Sequence, residues 1–154
     1  MPHFKRTILL VSLLCLVTTV GDSSFGEGLD HIGARVVIPF GKTPLMLGLD
    51  IGTHLTFGLA VASLLLSPNG ETLMLASIEA RIAGSENAGV TLIRGTIGLS
   101  YFDLSAPLPS FILGGGLTYR FSVDEHMSIG ASSEIIYPLA LGPPMLAFSA
   151  GWSP

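Results

Sequence analysis

Charge is what this chain of 154 residues has least of. Asp, Glu, Lys and Arg make up 12% of it, roughly half the usual share of about 25%. A surface that faces water needs more charge than this. Cysteine is nearly absent too. The single copy, Cys15, lies in an N-terminal apolar stretch, which leaves no disulfide staple and no thiolate metal site downstream. After that stretch no apolar run reaches the ~18 residues of a membrane-crossing helix. Basic residues are scarce as well. Beyond residue 21 there are five (Arg35, Lys42, Arg81, Arg94, Arg120) against eleven acidic ones, so no basic patch invites a nucleic acid.

What remains is apolar. Hydrophobic residues are 49% of the chain and the mean hydropathy is +0.66. Nineteen glycines and ten prolines disfavour helices. The chain is too apolar for water, yet it lacks the runs from which spanning helices are made.

The N-terminus reads as a targeting segment. Lys5 and Arg6 precede an apolar stretch from Thr7 to Val20, short for a membrane span and suited to a secretory signal. Cleavage after Gly21 leaves no cysteine. A lipoprotein reading of Cys15 meets Leu14 where a small residue belongs, and a buried first helix is the structural alternative.

The rest of the chain alternates. "ARVVIPF" sets Val36, Ile38 and Phe40 against Arg35. "LMLGLDIG" sets Leu45, Leu47, Leu49 and Ile51 against Met46, Gly48 and Asp50. "HLTFGLAVASLLL", read as one run, sets Leu55, Phe57, Leu59 and Val61 against His54, Thr56, Gly58 and Ala60. After the turn "SPNG", "TLMLASIEARIA" sets Met74, Ile78 and Ile82 against Ser77, Glu79 and Arg81. Four more segments follow with the same habit, separated by "GSENAG", "DLSAPLPS", "VDEH" and "PLALGPP". Period 2 is the signature of strands, and short connections make antiparallel neighbours. The reading is all-β: an eight-stranded antiparallel up-and-down barrel.

One run tests that reading. "FILGGGLTYRFS" holds three consecutive glycines, which weaken a strand. Alternation nevertheless persists, with Phe111, Leu113, Leu117, Tyr119 and Phe121 on one face and Gly114, Gly116, Thr118 and Arg120 on the other. Closure on both edges would hold such a strand.

Strand charges fall on the weak face: Arg35, Asp50, Glu79, Arg81, Arg94, Arg120 and Glu134. In a soluble barrel the greasy face would be inside, and a sparsely charged face would meet water. In a transmembrane barrel the greasy face meets lipid and the polar face fills the lumen. The export segment favours the second, as do Tyr101, Phe102, Phe111, Tyr119, Phe121, Tyr137 and Trp152 near strand ends, where interfacial girdles lie.

In this pattern residues 29–154 resemble the small eight-stranded outer-membrane β-barrels of Gram-negative-type bacteria, the outer-membrane protein A, X and W-like class. "GGGLTYRFS" with "HMSIGASSEI" resembles a hairpin of that class. "MLAFSAGW" resembles the terminal strand that the barrel-assembly machinery recognises, although Ser153 and Pro154 follow the closing aromatic. The resemblance implies a signal peptide over 1–21, a short periplasmic segment over 22–32 and an outer-membrane barrel over 33–154. Outer-membrane lipid and the assembly machinery are its implied partners, and it implies no cofactor.

Candidate sites follow. With both termini periplasmic, turns at "IGTH", "AGSENAG" and "VDEH" share one end. Arg35, Asp50, Glu79, Arg81, Arg94 and Arg120 then line the periplasmic half of the lumen. Together with Glu134 they are expected to form a salt-bridged plug centred on Glu79, Arg81, Arg94 and Arg120. Leu64, Leu73, Leu75, Phe102, Ile112 and Ile136 line the outer half, either as ordinary packing or as a cavity for a small hydrophobic ligand. The leading function is a structural or narrow-channel outer-membrane protein. Uptake of small hydrophobic molecules and a soluble periplasmic ligand-binding barrel are the alternatives. "HMS" and Glu134 offer His126, Ser128 and a carboxylate, the elements of lipid A acyl hydrolysis or transfer. The longer signature of that activity is missing, so no enzyme is expected. His31 and His54 make no metal set.

Overall fold

A strand with little intrinsic propensity is held when both its edges are paired, and a closed sheet pairs every edge. The protein, described here by a computed structural model, is seen over residues 30–41, 44–55, 58–85, 89–101, 110–124, 127–139 and 142–153. Eight strands follow in order: β1 (His31–Pro39), β2 (Met46–Leu55), β3 (Gly58–Leu66), β4 (Thr72–Ser85), β5 (Gly89–Tyr101), β6 (Ser110–Ser122), β7 (Ser128–Pro138) and β8 (Met145–Ser153). Each is antiparallel to the next, and β1 pairs with β8 to close the barrel. The expected up-and-down topology is the one observed. The signal segment lies outside the described residues, and β1 begins two residues before the boundary read from sequence.

The barrel has two distinguishable ends. His31 and Ser153 mark the terminal end, together with the β2–β3, β4–β5 and β6–β7 connections. The far end carries the other four. The far-end turn at "SPNG" is built as its letters suggest. Gly70 has φ +89°, open to glycine at little cost, and its N–H donates to the Ser67 carbonyl at 3.0 Å.

Alternation sorts side chains as the sequence implies, with one exception. In β3 the inward residues are Leu59, Val61, Ser63 and Leu65, the opposite parity from the one expected. Leu55 pairs with Gly58, so the chain reverses between them, whereas the sequence reading placed the turn at "IGTH" and ran one strand through this stretch. A reversal that spends two residues moves the inward set from even numbers in β2 to odd numbers in β3, and a one-residue slip exchanges faces. "IGTH" itself belongs to β2. Leu64 consequently faces outward and leaves the expected interior set.

The barrel is apolar on its outside. Among the described residues, twenty-three large apolar side chains are exposed and twelve hydrophobic ones are buried. In water, each fully exposed large apolar side chain forgoes about 1.5–3 kcal/mol of burial. Even at half exposure the sum exceeds the ~5–15 kcal/mol net stability of a domain. No outward-facing strand residue among those described is charged. Phe111 and Tyr137 stand near the far end of this surface, and Tyr119, Phe121 and Trp152 near the terminal end.

Inward, space is made by glycine. Gly48, Gly98 and Gly116 pair across strands with Leu65, Leu75 and Glu134. A Cβ at any of the three would stand within 2.7 Å of that neighbour's side chain. Gly114 and Gly116 face the lumen, while Gly115 faces outward beside Gly95.

Candidate functional site

The interior is layered, because each inward position takes its height from its place along the strand. At mid-height the layer is charged. Arg35 (β1) lies with Nε 3.2 Å from Asp50 (β2) and Nη1 3.1 Å from Glu134 Oε1 (β7). Arg94 reaches from β5 across the lumen. Its Nη1 donates to Ser132 Oγ at 2.7 Å and to Ser149 Oγ at 3.0 Å, on β7 and β8. The same guanidinium lies 3.5 Å from Glu79, 3.7 Å from Asp50 and 3.8 Å from Glu134. Arg120 Nη2 donates to Glu79 Oε2 at 3.1 Å. Three arginines face three carboxylates, so the layer is formally neutral.

Threonine hydroxyls bind two of its carboxylates, while Arg35 Nη2 and Arg94 Nη2 are buried without a hydrogen-bond partner among the described residues. Thr118 donates to Glu79 Oε1 at 2.6 Å, and Thr96 donates to Glu134 Oε2 at 2.5 Å. Since the Thr96 proton goes to the carboxylate, the Ser77 hydroxyl 2.9 Å away donates to Thr96. Six of the seven expected charges are thus brought together; Arg81 is not. Its strand neighbour β3 begins at Gly58, which pairs with Ala80. From Arg81 onward β4 runs past the rim into a bulge, and Arg81 is exposed there, donating to the Gly84 carbonyl at 2.5 Å. Arg35, Asp50 and Glu134 stand at the centre with Arg94 instead. The serine and threonine partners were not singled out from sequence, although they share the parity of the charges.

On the far-end side lies an apolar layer. Val37, Met46 and Leu65 enter it from β1, β2 and β3, and Leu73 and Leu75 from β4. Ile112, Ile136, Met145 and Ala147 close it from β6, β7 and β8, and none of the nine is more than 2% exposed. Four residues expected to line a ligand cavity, Leu73, Leu75, Ile112 and Ile136, are here, packed against one another. Leu64 is on the outer face, and Phe102 lies outside the described residues. Leu65 was missed through the β3 parity.

Leu59 and Val61, paired with Glu79 and Ser77, and Leu92, paired with Thr118, are buried beside the charges. His31 Nδ1 meets Ser153 Oγ at 3.0 Å across the closing seam. His54 Nδ1 lies 2.9 Å from Asp30 Oδ2, and its Nε2 lies 3.2 Å from Arg120 Nη1. An arginine only donates, so Nε2 accepts and the Nδ1 proton points to Asp30.

The chain has the fold of the small outer-membrane β-barrels. It is similar to the crystal structure of the N-terminal β-barrel domain of Pseudomonas aeruginosa OprF, with a TM-score of 0.57 and 12% identity. That match covers 82% of this chain and 98% of the other. It is also similar to the solution structure of the de novo designed protein TMB2.3, with a TM-score of 0.50, 10% identity, and 83% and 97% of the two chains covered. No family model matches the sequence, and no curated protein matches it.

The acyl-transfer set does not assemble on the described residues. His126 is outside them. Ser128 and Glu134 are six residues apart on β7, roughly 20 Å at 3.3 Å per residue, and Glu134 is held by Arg35 and Thr96. Among the described residues no group of three His, Cys, Asp or Glu side chains gathers to hold a metal.

Proposed function

We propose that this protein is an integral outer-membrane barrel with a structural role, its lumen occupied by its own side chains. The observation that carries this is the outward face: twenty-three exposed large apolar residues, small residues between them, and no charge among the described outward strand positions. That face suits lipid, and six of the seven charges carried by strands lie inside the barrel, paired with one another. The similarity to the OprF barrel domain supports the same reading. Export by the segment over residues 1–21 and insertion by an assembly machinery that recognises β8 belong to it. An eight-stranded barrel is just wide enough for interior side chains to fill it, and the buried layers favour a closed barrel over one that passes solutes.

Detergent-phase partition with heat-modifiable gel mobility tests the assignment. A membrane barrel partitions into detergent and migrates differently before and after boiling. Recovery of a stable monomer from detergent-free buffer would overturn it and restore the soluble ligand-binding barrel.

A further inference from the structure

We infer that the barrier to ions in this barrel is the apolar layer at the far end, and that the charge layer below it is not the gate. The inference rests on the membrane reading above and assigns the closure to particular residues. In the charge layer an ion that sheds water meets replacements, since carboxylates and guanidinium groups already sit 3.1 to 3.8 Å apart there. In the apolar layer little replaces the hydration shell: Ser63 and Ser100, paired with Leu75 and Leu73, are buried hydroxyls beside it, and Ser100 donates to the Ser110 carbonyl. The layer's own nine side chains carry no oxygen or nitrogen, and none is more than 2% exposed. An unpaired charge is far costlier to bury than a paired one, so the two layers differ in kind as obstacles.

The packing shows why the layer is continuous. At its height β5 offers Gly98 rather than a large residue, and Leu75 from β4 lies over it. On the opposite wall, Leu65 of β3 covers Gly48 of β2 in the same way. Long side chains thereby meet over small ones instead of colliding at the walls. Hydrophobic constrictions close by excluding water, and this one does not depend on any ion pair.

The test uses the full chain, first floated with phosphatidylcholine vesicles and then recorded in planar bilayers of the same lipid. Glu79→Gln combined with Arg120→Gln removes one charge of each sign from the charge layer. Met46→Ser combined with Ile136→Ser wets the apolar layer. The unmodified protein and the charge variant are expected to stay within about twofold of the bare-bilayer background, and the apolar-layer variant to conduct at least roughly tenfold more. If the serine pair does not fold by gel mobility, Met46→Ala with Ile136→Ala takes its place. Conduction by the charge variant, closure of a folded apolar-layer variant, or steady conduction by the unmodified protein would each overturn the inference. Failure to float with the vesicles would overturn the membrane reading first, and the inference with it.

Discussion

Leu75 on β4 lies across Gly98 on β5, so closely that a Cβ on the glycine would stand 2.6 Å from Leu75 Cδ2 and 2.2 Å from the Met74 carbonyl oxygen. Backbone cannot yield as a side-chain tip can. Gly98→Ala is therefore expected to destabilise the barrel by about 1–3 kcal/mol, the usual range for overpacking. Gly95, three residues earlier, faces outward, and a Cβ there meets nothing within 4 Å. Gly95→Ala should leave stability unchanged or raise it by ~0.4–1 kcal/mol by narrowing the unfolded ensemble. Equilibrium urea unfolding in lipid vesicles compares the two.

Glu134 joins Arg35 to Thr96 with almost no exposure. Glu134→Ala leaves a buried guanidinium short of a partner, and a loss of about 3–5 kcal/mol is expected. Arg81→Ala, at the exposed rim, should stay within about 0.5 kcal/mol. The same unfolding measurement checks both, and equal effects would contradict the layer as described.

Ile97 is 62% exposed on the outward face. Its replacement by Arg should cost roughly 2–4 kcal/mol in a bilayer if the residue lies near the midplane. A variant that unfolds from vesicles like the unmodified protein would remove the support for lipid contact.

The two ends of the barrel should face different compartments. A peptide tag inserted at Asn69 in the β3–β4 turn is expected to bind antibody on intact cells. One inserted between Ser85 and Gly89 should require a permeabilised envelope. The reverse pattern would invert the topology.

Much of this was legible in the sequence because strand alternation writes the environment of each side chain into its parity. Arg35, Asp50, Glu79, Arg94, Arg120 and Glu134 could be assigned inward from parity alone. Their partners could not, since which charges meet across a lumen depends on register, and register is set by connections. The β2–β3 reversal shows the limit. No Gly, Pro, Asn or Asp marks the two residues between Leu55 and Gly58, so the alternation ran on and β3 was read inside out. Arg81 failed for another reason: parity says which way a side chain points, not whether a neighbouring strand still flanks it. For the apolar interior the sequence leaves packing and a cavity equally open, because it lists Leu73, Leu75, Ile112 and Ile136 without showing that Leu75 lies over Gly98.

The apolar outer face has a consequence for how such a chain can vary. An outward position is asked only to be greasy; Leu, Ile, Val and Phe are near synonyms there, since no neighbour has to fit their shape. Inward positions are read jointly, a large residue requiring a small one beside it and an acid requiring a base across the lumen, so they change in groups. Half of each strand is thus free to drift one letter at a time and the other half moves by exchange of partners. A wall built this way fixes its architecture without fixing its spelling, and a barrel that shares 12% of its residues with this one has the same fold.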